Sequence, residues 1–141
     1  MTANCCVAGN DVMLMACSGA SNVGQLTNQA AIEMTQEGAG KMFCLAGVGA
    51  HLSGFVQSAK DVPVMIAIDG CNIGCARIIL EHLNIKPTSH LVLTNEGIEK
   101  NKNFTLERAD IDRVKEMVRK VAGGASGSGE PASNSCCGCS I

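Results

Sequence analysis

The sequence is poor in aromatic residues, with no Trp, no Tyr and only three Phe. A core must therefore be built from aliphatic side chains and methionine, and aromatic platforms for stacking nucleic-acid bases are missing. Basic residues are not in excess either, since 11 Lys and Arg stand against 13 Asp and Glu, for a net charge of −2. This balance excludes a nucleic-acid binder that relies on bulk positive charge.

Long hydrophobic runs are also missing. The longest runs, such as Val62–Ile68, are far too short to span a bilayer, and this one contains Pro63. No Lys or Arg precedes Lys41, so the basic region of a secretory signal is lacking. We therefore expect no membrane association and a cytoplasmic location, where thiols stay reduced.

Cysteine and glycine are abundant instead, with nine Cys and 16 Gly in 141 residues. Hydrophobic residues make up 46% and charged residues 17% of the chain, which indicates a folded protein. An odd number of cysteines between long periodic segments argues against a secreted disulfide framework. Metal binding or thiol chemistry is the favoured use of the sulfurs, and burial of single cysteines as small hydrophobic residues is the alternative.

Short apolar runs alternate with amphipathic helical patterns along the chain. The predicted strands are Asp11–Cys17, Lys41–Ala46, Pro63–Asp69 and Ser89–Thr94. The helices are predicted from the N-cap Ser21 to Gly38, along an apolar face from Leu52 to Ala59, from Ile73 to Leu83, and along a stripe from Ile111 to Val121 that ends at Gly123 and Gly124.

This alternation predicts an α/β fold with a four-stranded, mainly parallel sheet and helices on both faces, a three-layer arrangement of the Rossmann or flavodoxin type. Right-handed crossovers place every strand-to-helix turn on one edge of such a sheet, its carboxyl edge. Ligand sites of open α/β sheets lie at that edge.

Composition divides the chain into four parts. Residues 1–7 are predicted to be a flexible N-terminus and residues 8–122 the folded domain. Residues 123–135 are a Gly- and Ser-rich linker without a large apolar residue to anchor it. Residues 136–141 form a tail whose Cys136, Cys137 and Cys139 are accessory thiols that hand a metal ion to the domain or act as resolving thiols. The alternative is an exposed tail with no partner.

Four cysteines occupy equivalent places in the strand–helix pattern. Cys17 ends the first strand, Cys44 lies on the second, and Cys71 follows the third, with Cys75 one helical turn later. The spacings are 27, 27 and 4 residues, and 27 is the length of one strand–helix unit. Successive units therefore deliver a thiol to neighbouring positions on the carboxyl edge. Four converging thiolates suit a tetrahedral zinc site, and scattered core cysteines are the alternative that the spacing leaves open.

Four thiolates give a zinc centre an excess of negative charge. The surroundings predicted for these sulfurs would stabilise that charge. A helix N-terminus lowers the pKa of a thiol, which we expect at Cys71 and Cys75. Glycines remove side chains close to the site, so Gly19, Gly47 and Gly70 are expected to let backbone N–H groups approach the sulfurs.

At these residues the sequence resembles the DGC-domain family, described as zinc-binding proteins of unknown function in bacteria and archaea. The resemblance rests on Asp69-Gly70-Cys71, on residues 17–24 (CSGASNVG), on residues 44–49 (CLAGVG), and on Cys75 followed by Ala76. It covers most of residues 11–100 and implies an α/β domain and zinc, but no established activity. The family's chelating cysteines fall on Cys17, Cys44, Cys71 and Cys75.

Polar residues beside the cysteines have two interpretations each. Ser18, Gly19, Asp69 and Gly70 are predicted to surround the sulfurs, with Asp69 as a hydrogen-bond acceptor or general base close to the metal. The alternative for Asp69 is a cap of the following helix. Arg77 either offsets thiolate charge or is simply solvated.

Among the histidines, only His51 is expected at the functional edge, as a ligand or an acid–base group. His82 and His90 are expected toward the far edge with a structural role. The residues after the fourth strand, 94–97, either line a pocket at the functional edge or simply turn the chain.

The leading hypothesis is a zinc-binding protein whose role is metal binding, regulation or delivery. The alternative is a thiol enzyme for redox chemistry or for sulfur or metalloid transfer, with Cys17 or Cys71 as the nucleophile. A third interpretation replaces zinc with an iron–sulfur cluster on the same four thiolates. The expected partner is a metal ion, with no nucleic acid and no membrane, and the sequence leaves a protein partner open.

Overall fold

The computed structural model describes residues 12–125. The predicted N-terminal segment, most of the linker, and Cys136, Cys137 and Cys139 lie outside the described residues. In chain order the elements are β1 (Val12–Ala16), α1 (Asn22–Gln36), β2 (Lys41–Met42), α2 (Leu45–Gly49), α3 (Ser53–Asp61), β3 (Val64–Asp69), α4 (Cys75–His82), β4 (Ser89–Val92), a 3-10 helix (Leu93–Glu96) and α5 (Arg108–Ala125).

The strands form one sheet in the order β2-β1-β3-β4, and every neighbouring pair is parallel. This confirms the predicted α/β class. The chain leaves β1 toward β2 on one side and returns to β3 on the other side, so the strand order reverses between β1 and β3. Ligands of open α/β sheets bind at the carboxyl ends of strands that flank such a reversal.

Helices cover both faces of the sheet, as the alternation of apolar residues along the strands requires. On β1, Leu14 and Ala16 pack into the core under α1 and α5. The residues between them, Met13 and Met15, pack into the second core under α2, α3 and α4. The central strands are therefore buried on both sides, which explains their continuous apolar runs.

The first helix has the predicted boundaries. The Ser21 hydroxyl accepts a hydrogen bond from the Gly24 amide at 3.2 Å, which satisfies a free donor of the first turn. After the helix, Gly38 has a φ of 76°, a left-handed conformation that glycine adopts without strain and that ends the helix. The last helix differs from the prediction, since α5 continues through Gly123 and Gly124 to Ala125, into the predicted linker.

The second strand is much shorter than predicted. It comprises only Lys41 and Met42, and the bond from the Phe43 amide to the Leu14 carbonyl is the last backbone hydrogen bond between this segment and β1. Cys44 is therefore not on a strand but is the N-cap of α2, where its sulfur accepts a bond from the Gly47 amide. The predicted Gly-Val-Gly turn is part of this short helix.

The fourth strand is also shorter than predicted, because the chain turns into a 3-10 helix at Leu93. Of the helices that the structure describes, none has both the length and the apolar character needed to cross a membrane.

Charged side chains fasten α1 to α5. Lys115 is only 7% exposed, and its ammonium donates to Glu33 at 3.1 Å and to Glu37. Arg108 pairs with Glu33 and Arg119 with Glu37 at 2.5 and 2.7 Å. These ion pairs hold α1 in place, and α1 begins directly after the loop that carries Cys17.

The same contacts shift the protonation of the carboxyl groups. The hydrogen bond from Lys115 is the main cause that lowers the pKa of Glu37 below its ordinary 4.5. The pKa of Glu33 is lowered first by the bond from Gln29 and then by Lys115. The pKa of Lys115 is raised, mainly by its bond to Glu37.

We predict that acid removes the stabilisation that Lys115 provides. Since the folded state lowers both carboxyl pKa values, the stabilisation is complete above pH 4.5 and is lost as the pH falls through the lowered values. Urea unfolding should show that Lys115→Met lowers the free energy of unfolding more at about pH 7 than at about pH 3. The control is Lys120→Met, an exposed lysine on the same helix. An effect of Lys115→Met that is equal at both pH values would contradict this interpretation.

Candidate functional site

All four candidate cysteines lie at the carboxyl edge of the sheet. Cys17 follows β1 directly, and its amide donates to the Ile68 carbonyl at 3.0 Å, which extends the pairing of β1 with β3. Cys71 comes two residues after the end of β3, and Cys75 is the first residue of α4. Cys44 lies beyond the end of β2 and caps α2.

Two cavities at this edge share Cys17 and Cys75. The first has a volume of about 240 Å³, and Cys71 also lines it. The second has a volume of about 380 Å³, and Cys44 also lines it. Cys17 and Cys71 are half-buried, whereas Cys44 and Cys75 are exposed. The fold therefore brings the four thiols to one region from three separate segments, since Cys71 and Cys75 share the connection from β3 to α4.

Within residues 12–125, three of the four sulfurs have an N–H donor close by. The Gly70 amide donates to the Cys17 sulfur and the Gly47 amide to the Cys44 sulfur, both at 3.4 Å. The third donor is the ammonium of Lys100, 3.4 Å from the Cys71 sulfur. Such donors stabilise the thiolate form of cysteine.

Cys71 and Cys75 were predicted to lie on one face of a helix, but the local structure between them is different. The helix begins at Cys75, and residues 71–74 form a turn that is closed by a bond from the Gly74 amide to the Cys71 carbonyl at 3.1 Å. The turn, and not one face of a helix, therefore brings the two residues to the same cavity.

The expected lowering of the thiol pKa is wrong for Cys75, whose pKa is raised. Partial burial is the largest cause, and the nearby charges of Cys17, Asp69 and Cys71 add to it. Like charges gathered in a partly desolvated place disfavour a further thiolate more than the helix start favours it. A cation among these sulfurs would reverse that balance.

Asp69 holds the start of α4. Its carboxylate is buried (1% exposed) and accepts bonds from the amides of Ala76 at 2.8 Å and Arg77 at 3.2 Å. The N-cap position itself is Gly74, which has no side chain to cap the helix. These bonds agree with the helix-cap interpretation of Asp69, and they fix the position of Cys75 at the head of the helix.

Ser18 and Gly19, which were also predicted to surround the sulfurs, form the turn after Cys17. Ser18 has a φ of 50°, and its amide lies 3.4 Å from the Thr27 hydroxyl, which is 3.7 Å from the Cys17 sulfur. Gly19 lies against that sulfur, since a Cβ added at Gly19 would be 3.9 Å from it. Sequence reasoning missed Thr27, because its place inside a helix carries no sign of a contact to the preceding turn.

His51 and His90 are placed differently from the prediction, whereas His82 lies away from the site as expected. His51 lies between α2 and α3, is exposed, and lines neither cysteine cavity. His90 contacts the neighbourhood of the site, because its Nε2 lies 2.8 Å from a carboxylate oxygen of Asp69. His82 is the last residue of α4, at the opposite end from Cys75.

Two other predicted neighbours do not touch the sulfurs. The guanidinium of Arg77 pairs with Glu81 at 2.5 Å, which agrees with the solvated interpretation. Thr94 donates its amide to the Gly70 carbonyl at 3.2 Å, so the chain after β4 packs against the Asp69–Cys71 turn. Lys100 and Lys102, further along that segment, do line the first cavity. The sequence analysis considered only residues 94–97 of this segment and missed both lysines, which the carboxyl-edge rule applied to the rest of the segment could have found.

Among residues 12–125, no three side chains of His, Cys, Asp or Glu stand close enough together to hold a metal ion. The four thiols therefore share an edge and two cavities without forming a closed set of ligands. Their chemistry fits a soft or borderline metal ion, for which thiolates are the preferred donors.

The fold and the thiol cluster define an α/β protein with a cysteine-rich site at the reversal of its strand order. Residues 13–118 match the model of the DGC domain, and the chain belongs to that family. Over 102 aligned residues it is 34% identical to the anaerobic and virulence modulator AnvM of Pseudomonas aeruginosa. The alignment covers 72% of this chain and 78% of AnvM. No solved structure matches the chain.

We predict that Gly70 tolerates no side chain. A Cβ at this position would lie 2.7 Å from the Gly24 nitrogen and 2.7 Å from the Val23 carbonyl carbon, both backbone atoms that cannot move freely. Gly70→Ala should therefore push α1 away from the end of β3 and lower the free energy of unfolding by about 1–3 kcal/mol. Urea unfolding measures this change.

The matched control is Gly54→Ala in α3. Apart from its chain neighbours and the backbone of its own helix, a Cβ there meets no atom of residues 12–125 within 4 Å. Alanine favours a helix over glycine by roughly 0.5–1 kcal/mol. The control should leave stability unchanged or raise it. Equal losses in both variants would show that close approach at Gly70 is not the cause.

Proposed function

We propose that the protein binds one zinc ion through Cys17, Cys44, Cys71 and Cys75, and that its role is metal binding, regulation or delivery. The observation that supports this proposal is that three separate segments bring four thiols to two cavities that share Cys17 and Cys75. Zinc prefers thiolate ligands, and four of them complete its tetrahedral coordination.

The surroundings of the sulfurs support this function. Amide donors from Gly47 and Gly70 and the ammonium of Lys100 reach three of the described sulfurs and offset the negative charge of thiolate ligands. Binding includes a movement of the sulfurs toward one another, because the ligand set is not closed in residues 12–125. Zinc should therefore stabilise the loops that carry the cysteines.

A binding or regulatory role is favoured over turnover. Of the described residues, no histidine lines either cysteine cavity, and the Asp69 carboxylate beside them is engaged with the start of α4. Within residues 12–125, the two cavities thus offer the thiols no histidine or unengaged carboxylate to act as a general base. The relative's name calls it a modulator, which supports a regulatory role for this chain.

A second candidate is a thiol enzyme for redox chemistry or for sulfur or metalloid transfer. Its support is the amide donor at the Cys17 sulfur and the ammonium at the Cys71 sulfur, because a donor in this place would stabilise negative charge on an attacking or leaving sulfur. An iron–sulfur cluster on the same cysteines is a third candidate, and a brown colour in anaerobically purified protein would identify it.

We predict about one equivalent of zinc in the full chain, and well below that in a Cys71→Ser/Cys75→Ser variant. Metal content is measured by mass spectrometry after purification with zinc present. The control is a variant in which Cys136, Cys137 and Cys139 are serine, which should keep the zinc. Zinc that survives loss of Cys71 and Cys75 but disappears with the tail cysteines would refute the proposed site.

Thiol titration with and without a chelator separates binding from catalysis. Four thiols that become reactive only after chelation support the metal site. A single fast-reacting thiol that is indifferent to the chelator supports the enzyme.

A further inference from the structure

Residues 99–103, here called the 99–103 strap, lie across the start of α1. Asn22, the first residue of that helix, holds the strap by three hydrogen bonds. Its side-chain amide donates to the Glu99 carbonyl at 2.8 Å, its carbonyl oxygen accepts from the Asn101 amide at 2.6 Å, and its own backbone amide donates to the Asn101 carbonyl at 3.1 Å. The strap is therefore positioned by backbone groups and not only by flexible surface side chains.

The strap brings two ammonium groups to the first cysteine cavity. Lys100 and Lys102 both line it, together with Cys17, Cys71 and Cys75. The Lys102 ammonium donates to the Ala20 carbonyl at 2.5 Å and so anchors the strap to the loop after β1. Lys100 is the one whose ammonium reaches a sulfur, that of Cys71, at 3.4 Å.

Lys100 donates to the sulfur of Cys71, which receives no hydrogen bond from the amides of Gly47 and Gly70. Those amides donate to Cys44 and Cys17. An ammonium carries a full positive charge, which an amide does not, and charge-assisted hydrogen bonds are roughly twice as strong as neutral ones. The region needs such a charge, because four thiolates outweigh the two positive charges of a zinc ion.

We infer that Lys100 is a positioning residue of this site, whose ammonium holds the Cys71 sulfur by a hydrogen bond and offsets the negative charge of the ligands when zinc binds. The inference rests on the proposed function, and it adds the 99–103 strap to the site. Outer residues that bond to metal ligands typically contribute tenfold or more to metal affinity. The lysine is exposed, so we expect an effect at the lower end of that range.

The test compares Lys100→Gln with Lys100→Arg in the full chain. Competition with a chelating dye should show roughly tenfold weaker zinc binding in Lys100→Gln and near-normal binding in Lys100→Arg, which keeps the charge. Lys86→Gln is the control for the loss of one positive charge, because Lys86 lies away from both cysteine cavities. Thermal unfolding of the metal-free proteins checks that the variants are folded.

A second measurement needs no metal. In chelator-treated protein, alkylation of Cys71 by anionic iodoacetate is compared with alkylation by neutral iodoacetamide, using mass spectrometry of the labelled peptide. The ratio of the two rates should be several-fold lower in Lys100→Gln than in the wild type, because the ammonium beside the sulfur attracts the anionic reagent. Unchanged zinc affinity and unchanged alkylation of Cys71 in Lys100→Gln overturn the role of Lys100 while zinc binding by the wild type stands. A wild-type chain that takes up no zinc overturns the proposed function itself.

Discussion

The parallel pairing of β1 with β3 is the constraint on which the rest of the structure depends. The ladder runs from Val12 opposite Val64 to Ala16 opposite Ile68, so the two strands end side by side and point the same way. Because β2 and β4 lie outside them, the helices that follow β1 and β3 diverge and leave a crevice at this edge. The thiols of Cys17 and Cys71 flank that crevice, although they are far apart in the chain.

Short-range hydrogen bonds then set the details of the site. The carboxylate of Asp69 holds the first amides of α4 and so fixes Cys75, while the sulfur of Cys44 holds the first turn of α2. Cys44 thus serves as a helix cap as well as a candidate ligand. A metal ion bound to this sulfur would compete with the Gly47 amide or share the sulfur with it, which would couple the proposed metal binding to the start of α2.

The order of the elements and the edge that carries the cysteines could be predicted from the sequence, because apolar periodicity reports burial and parallel strands share one carboxyl edge. The predicted ends of the helices and strands were less accurate. The run 41–46 is as apolar as a strand, yet it leaves the sheet after Met42. A short run of apolar residues is typical both of a buried strand and of a buried helical turn, so periodicity alone does not distinguish the two.

The chain's amino acids were enough to identify the fold class, the family and four cysteines of matched spacing, since each depends on patterns that are local or repeat along the chain. The partners of the sulfurs depend on folding. The contact of Lys100 with Cys71 and the closeness of Gly70 to Gly24 join segments with no shared pattern, and they exist because the sheet brings those segments together. The distances between such segments cannot be read from their positions along the chain, because they are set by the packing of the folded protein.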